Sequence, residues 1–238
     1  MTSSAPEAPI PYRLLVFDWD GTLVDSIGTI VECTRTTLTE LSLPIPEEAT
    51  LRGLIGLGLR ETISAMIPGC DEATYQQVVL TYRKHWFGTF QRQTRLFQGA
   101  REVLDDLRGR GYSLAVATGK SRRGLEGELD ATGTRGHFLT TRTASEAQSK
   151  PHPQMLLDLV GEVGVAATEV LMIGDTSYDL EMARGAGVPA LAVTSGGHRA
   201  EDLRRFNPVA TLAGVHELPG WLARRRGAAI STTESPSG

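Results

Sequence analysis

Four short apolar runs constrain the fold more than any other feature of the chain. They cover residues 13–17, 112–117, 170–173 and 190–193, and each runs into a loop of acidic, hydroxyl or glycine residues. Apolar runs without polar alternation suit strands buried on both faces. Residues 138–143 form a weaker strand candidate. Helical patterns lie between the runs. Val103, Leu104 and Leu107 share one face, and Met155, Leu156, Leu159, Val160 and Val163 form a longer stripe. Leu180, Ala183 and Ala186 mark another helix, closed by Gly187 and Pro189. Strands alternating with helices predict an α/β fold, a parallel sheet covered on both faces.

Residues 26–93 break this rhythm and carry no clear buried strand. Ile27, Ile30, Thr34, Leu38 and Leu41 suit one helix; Tyr75, Val78, Val79, Tyr82 and Trp86 suit another. A glycine-rich turn, residues 53–58, separates them. The pattern predicts a helical domain inserted into a core made of residues 12–25 and 94–226. Residues 1–11 and 227–238 are small, polar or proline-rich and are expected to be disordered.

The chain has 238 residues, 40% of them hydrophobic, enough for a sizeable core with an insert. A net charge of -4 disfavours a dedicated nucleic-acid binder, and the Arg224, Arg225, Arg226 run reads as a solvated helix end. Cys33 and Cys70 lack the spacing of a zinc site or a redox pair. No apolar stretch is long enough to span a bilayer, and the N-terminus lacks the apolar segment of a signal peptide. The expectation is a soluble cytoplasmic protein.

The chemistry concentrates at the ends of the apolar runs. Asp18-Trp19-Asp20-Gly21-Thr22 follows the first. In open α/β sheets, ligands bind outside the carboxyl ends of strands. Alternation places Asp18 and Asp20 on one side, where two carboxylates repel unless a proton or cation lies between them. A hard divalent ion answers that need, and Gly21 permits a sharp turn. The competing reading is a pair of ordinary loop acids at a turn. Thr118, followed by Gly119 and Lys120, offers a hydroxyl to a phosphoryl oxygen, or simply ends a strand. Lys150, in Ser149-Lys150-Pro151-His152-Pro153, can offset carboxylate repulsion and neutralise a phosphoryl group, or be an ordinary lysine. Gly174-Asp175-Thr176-Ser177-Tyr178-Asp179 adds two carboxylates. Asp175 could complete a magnesium site, and Asp179 could orient it or Lys150. A helix N-cap explains the same residues, and both roles can coexist.

Together these residues resemble the four motifs of the haloacid dehalogenase superfamily, in order and spacing, over roughly residues 13–193. The resemblance implies a Rossmann-like core and an aspartyl-phosphate formed on Asp18. It implies Asp20 as general acid, then as general base for the hydrolytic water. Mg2+ would be bound by Asp18, the Asp20 backbone carbonyl and Asp175, with Asp179 behind them. Thr118 and Lys150 would hold the phosphoryl oxygens, with Gly119 beside the substrate. Thr22 would position Asp20 or the phosphoryl group. The superfamily's dehalogenases lack an aspartate at the position of Asp20, so its presence favours phosphoryl transfer.

The insert looks like the helical cap of the phosphoglycolate-phosphatase-like branch. Residues 56–61 match a substrate-contacting loop there, where Arg60 would pair with a substrate carboxylate or phosphate, or face solvent. The implied activity is Mg2+-dependent hydrolysis of a small phosphorylated metabolite, phosphoglycolate first. The alternatives are a phosphosugar mutase resembling β-phosphoglucomutase, and a pyrophosphate or nucleotide phosphohydrolase. A non-catalytic binding module would be expected to have lost Asp18, Asp20 or Lys150, and all are present. Trp19 is expected to pack, and Gln98-Gly99 stands where the branch often has Pro-Gly. His85, His137, His152 and His198 match no catalytic position and are read as structural. The oligomeric state is left open.

Overall fold

The structure is a computed structural model that describes residues 12–233, with side chains to residue 225. The expected disorder of residues 1–11 lies outside the described residues. In chain order, β1 (Leu14–Phe17) and β2 (Val24–Asp25) precede α1 (Ile27–Glu40), α2 (Glu48–Gly53), α3 (Leu59–Met66) and α4 (Glu72–Gly88). Next come β3 (Arg95–Leu96), α5 (Ala100–Gly109), β4 (Ser113–Thr118), α6 (Arg122–Thr132) and β5 (Thr140–Thr143). The chain continues with α7 (Gln154–Val163), β6 (Val170–Gly174), α8 (Ser177–Gly185) and β7 (Ala190–Val193). It ends with α9 (Ala200–Arg204), β8 (Ala210–Leu212) and α10 (Leu218–Thr233).

Six strands form one sheet in the order β5-β4-β1-β6-β7-β8, every neighbouring pair parallel. β1 is wholly buried, and its side chains alternate. Leu15 and Phe17 pack with Val103, Leu104 and Leu107 of α5, Leu125 of α6 and Leu222 of α10. Leu14 and Val16 pack on the other face with Met155, Leu156 and Leu159 of α7 and Met182 of α8. Each such side chain contributes about 1.5–3 kcal/mol by leaving water. The strand order changes direction at β1, so the carboxyl ends of β4, β1 and β6 meet there. That is the switch point where open α/β sheets bind ligands. It brings together Thr118, Asp18 and Asp175.

β2 and β3 pair antiparallel, Val24 with Leu96 and Asp25 with Arg95. Every helix between them belongs to the cap. α1 lies against α4, and Ile63, Val78 and Val79 form one small core while Ile27, Val31, Leu51 and Ile55 form another. Asp71 caps α4, its carboxylate accepting from the Thr74 N–H at 2.8 Å.

The tail departs from the expectation of disorder. α10 continues to Thr233, so residues 227–233 carry helical backbone. Ala228 and Ala229 are strong helix formers that extend a helix already anchored on the core by Leu218 and Leu222. Residues 234–238 lie outside the described residues. Among the described residues, no helix is long and apolar enough to cross a membrane.

Candidate active site

Asp18 leaves β1 fully buried, its backbone N–H donating to the Ile173 carbonyl of β6 at 2.9 Å. Three residues later the chain turns at Gly21, where φ is +80°. A Cβ there would stand 2.4 Å from Asp175 Oδ2, so glycine serves both the turn and the close approach. Asp175 is gripped at both oxygens. The Thr22 hydroxyl donates to Oδ1 at 2.7 Å, and the Gly197 N–H donates to Oδ2 at 2.7 Å. Thr22 therefore steadies Asp175, whereas the resemblance implied that it positions Asp20 or the phosphoryl group. The reason is the Gly21 turn, which brings the loop after β1 against the end of β6.

Lys150 is fully buried and holds two carboxylates, Asp18 Oδ1 and Asp179 Oδ1, each at 2.6 Å. The second oxygen of Asp179 accepts from the Thr176 N–H at 3.0 Å and the Thr176 hydroxyl at 2.7 Å. Asp179 thus closes the capping box of α8 and orients Lys150 with the same side chain.

Oxygens of Asp18, Asp175 and Asp179 lie within 4.8 Å of one another. One ammonium cannot balance three buried carboxylates. Burial pushes Asp18 well above the carboxylate range; Lys150 opposes this, while Asp179 and Asp175 add repulsion. Burial, reinforced by Asp179, likewise raises Asp175 from 3.8 to about 7 against the Gly197 and Thr22 hydrogen bonds. Asp18 Oδ2 is buried with no hydrogen-bond partner. An unpartnered carboxylate oxygen amid excess negative charge suits a hard divalent cation. The donor set therefore fits Mg2+.

This arrangement predicts how metal-free protein responds to pH. Folding raises both acid pKa values, so the folded form keeps protons that the unfolded chain has released. The part that belongs to Asp175 is complete below about pH 4 and is lost as pH rises through about 7. In EDTA, the melting temperature should fall across that window. At about pH 8, Mg2+ at a hundredfold its Kd should restore about 2.7 kcal/mol. A flat profile in EDTA, or no response to Mg2+, would contradict the charge arrangement.

The Asp20 carboxylate faces away from this cluster. Its Oδ1 accepts from the Ser26 hydroxyl at 2.6 Å and from Lys120 Nζ at 2.8 Å. Of Asp20, the backbone carbonyl is what remains for a metal. Lys120 also pairs with Glu128 at 3.0 Å, and Glu128 accepts from the Trp19 indole N–H at 2.5 Å. The ring of Trp86, on α4 of the cap, has its centroid 4.6 Å from Lys120 Nζ. Burial opposes the charge on Lys120, but Asp20 and Glu128 outweigh it and raise its pKa. Trp19 packs, as expected, and also anchors this network. Sequence reasoning gave no role at the site to Lys120, Glu128, Ser26 or Trp86.

Thr118 is buried, and its hydroxyl accepts from the Lys120 N–H at 3.2 Å. The cap rests on Gly119, where a Cβ would lie 2.5 Å from the carbonyl oxygens of Gly56 and Leu57. Beside it the Gly58 N–H donates to Ser149 Oγ at 2.6 Å, and the Tyr178 hydroxyl donates to the Gly53 carbonyl at 2.8 Å. His198 accepts from the Ser177 N–H at Nδ1, 3.0 Å, which leaves Nε2–H to donate to the Gly53 carbonyl at 3.2 Å. It is a joint between cap and core. His85 pairs with Glu40, His137 with Asp105, and His152 accepts from the Gln154 N–H. Arg60 is exposed, paired with Glu72 at 3.6 Å and lying over the Tyr75 ring at 4.1 Å. A cavity of about 480 Å³ lies between cap and core, with Asp18, Asp20, Thr118, Gly119 and Lys120 in its lining.

Fold and site together define a class: enzymes with a parallel α/β core whose acidic cluster sits at the sheet's switch point beneath helices. Residues 15–193 match the family model described as haloacid dehalogenase-like hydrolase. The chain belongs to that family. It is 35% identical over 213 residues to a Dickeya dadantii protein named "Probable phosphatase IndB", covering 87% of this chain and 92% of that one. It is 28% identical to the phosphoglycolate phosphatase of Thiobacillus denitrificans, covering 88% of this chain and 95% of that one. A haloacid dehalogenase-like family hydrolase from Streptococcus pneumoniae shares the fold at a TM-score of 0.78 and 24% identity, over 89% of this chain and 98% of that one.

Proposed function

We propose that the protein is a phosphatase that hydrolyses a small phosphate monoester through an aspartyl-phosphate on Asp18, with Mg2+ as cofactor. The observation that carries this reading is the state of Asp18. One oxygen is fixed by Lys150, and the other is buried without a partner at the carboxyl end of the central strand. A carboxylate held this way is presented to a ligand and kept from water.

Asp18 attacks phosphorus, a new carboxylate–phosphorus bond forms, and the bond to the substrate's alcohol oxygen breaks. Lys150 and Thr118 hold phosphoryl oxygens as charge shifts among them, an electrostatic contribution of about 3 kcal/mol for one good donor. Asp20 gives its proton to the departing alcohol oxygen. It then takes a proton from the water that attacks the phospho-aspartate, releasing phosphate and restoring Asp18. Asp18, Asp175 and the Asp20 carbonyl would hold Mg2+, which lets an anionic carboxylate approach an anionic phosphate and stabilises the transferring group. Asp179 keeps Lys150 aligned on Asp18.

The relatives' names make phosphoglycolate the first substrate to test. Phosphate release should be measured from phosphoglycolate, sugar phosphates, nucleotides and pyrophosphate, with Mg2+ and with EDTA. Release that requires Mg2+, together with reduction of Asp18 to homoserine by borohydride added during turnover, is the expected result. Homoserine formed in the presence of a sugar bisphosphate, without net phosphate release when borohydride is omitted, would replace the hydrolase with a mutase.

A further inference from the structure

We propose that the substrate's alcohol part carries an aromatic or heteroaromatic ring, bound between cap and core. The proposal rests on the phosphatase reading and names its substrate class.

The cap is already seated, with its backbone against Gly119, Ser149, Tyr178 and His198. The cavity of about 480 Å³ is thus what remains after closure. It falls in the range of about 300–1,000 Å³ typical of sites for drug-sized ligands. A two-carbon acid phosphate would leave much of it empty.

The lining contributed by the cap is largely apolar, with Leu38, Ile63 and Val78 beside Tyr82 and Trp86. Tyr82 and Trp86 lie one turn apart on α4 with their rings nearly parallel, centroids 6.0 Å apart and planes at 6°. They offer an aromatic surface at which a third ring can stack or meet an edge. The threonine hydroxyls of the cap lining are already used. Thr34 donates to the Ile30 carbonyl at 2.8 Å, Thr37 to Cys33 at 2.8 Å and Thr62 to Leu54 at 3.5 Å. Among the described residues the Tyr82 hydroxyl has no hydrogen-bond partner, so it can meet a polar atom on a ring.

The charges disfavour an anionic alcohol part. Glu61 lines the cavity, its Oε2 2.5 Å from where a Cβ on Gly58 would stand. Its carboxylate would repel that of glycolate. Lys120 is engaged by Asp20 and Glu128, and Arg60 by Glu72 and Tyr75. Arg83 has no ion-pair partner among the described residues but is exposed, and it is the cation a carboxylate substrate would have to use.

The test compares 2-phenylethyl phosphate, ethyl phosphate and phosphoglycolate with the full chain and Mg2+. The first two have similarly unactivated leaving groups, so a difference between them reports the ring. We expect kcat/KM for 2-phenylethyl phosphate to exceed the other two by about tenfold or more, and Tyr82→Ala to erase most of that ratio. Preference for phosphoglycolate, with a selective loss on Arg83→Ala, would overturn the proposal. So would equal rates for the two neutral esters. If none is hydrolysed, and no ester of the wider panel is either, the phosphatase reading fails by itself. Calorimetric binding of the two neutral esters then decides the ring: tighter binding of the phenylethyl ester supports it, and equal binding overturns it.

Discussion

Asp18→Asn is expected to reduce turnover about 10³-fold or more while leaving the protein folded. The amide keeps the shape of the side chain but is no longer an anionic nucleophile. Its effect on stability should run the other way. Asp18 is a buried acid repelled by Asp179 and Asp175, and Lys150 keeps a second partner in Asp179 when Asp18 is neutralised. In EDTA at neutral pH, the variant should melt at or above the temperature of the parent chain. Its stabilisation by Mg2+ should shrink, because one carboxylate of the site is gone. Initial rates and melting curves with and without metal check all three results. Turnover above about a tenth of the parent value would remove Asp18 as the nucleophile.

Lys150→Met should cost both activity and fold. Methionine fills most of the same volume, but Asp18 and Asp179 are then left buried without their shared cation. Breaking a buried ion pair from one side costs about 3–5 kcal/mol, so a large drop in the denaturation midpoint is expected. Adding Asp179→Asn to Lys150→Met should recover part of the stability and none of the activity. Mg2+ should narrow the gap between variant and parent, since it supplies positive charge to the same cluster. A Lys150→Met protein as stable as its parent in EDTA would mean that these acids are neutral in the folded chain.

What the sequence disclosed, and what it hid, follows from where each residue sits. Asp18, Thr118 and Asp175 were legible because each ends a buried strand, and parallel strands place their ends side by side. Lys150 follows no such strand and stood out through its neighbours and the motif order. The pairing of Lys120 with Asp20 and of Trp19 with Glu128 joins residues 100 and 109 positions apart, and local pattern carries no trace of it. Glu128 lies on α6, a mostly polar helix whose apolar face amounts to Leu125 and Leu129. The strands β2, β3 and β8 have two or three residues, too few for any periodicity. Arg60 was placed by its loop, but Glu72 and Tyr75, twelve or more positions onward, decide where its charge is spent. Thr22 was assigned by the family resemblance to Asp20 or the phosphoryl group, and the turn at Gly21 brings its hydroxyl to Asp175.

Around residues 53–58 the joint between cap and core is made, on the cap side, from backbone atoms: the carbonyls of Gly53, Gly56 and Leu57 and the N–H of Gly58. Substitutions along the inner surfaces of α1 and α3 can therefore reshape the chamber without altering how the roof meets the floor there. A lineage with this joint can exchange one phosphate ester for another by small steps, its reaction centre untouched. Preference and chemistry are thereby free to evolve at different speeds within one chain.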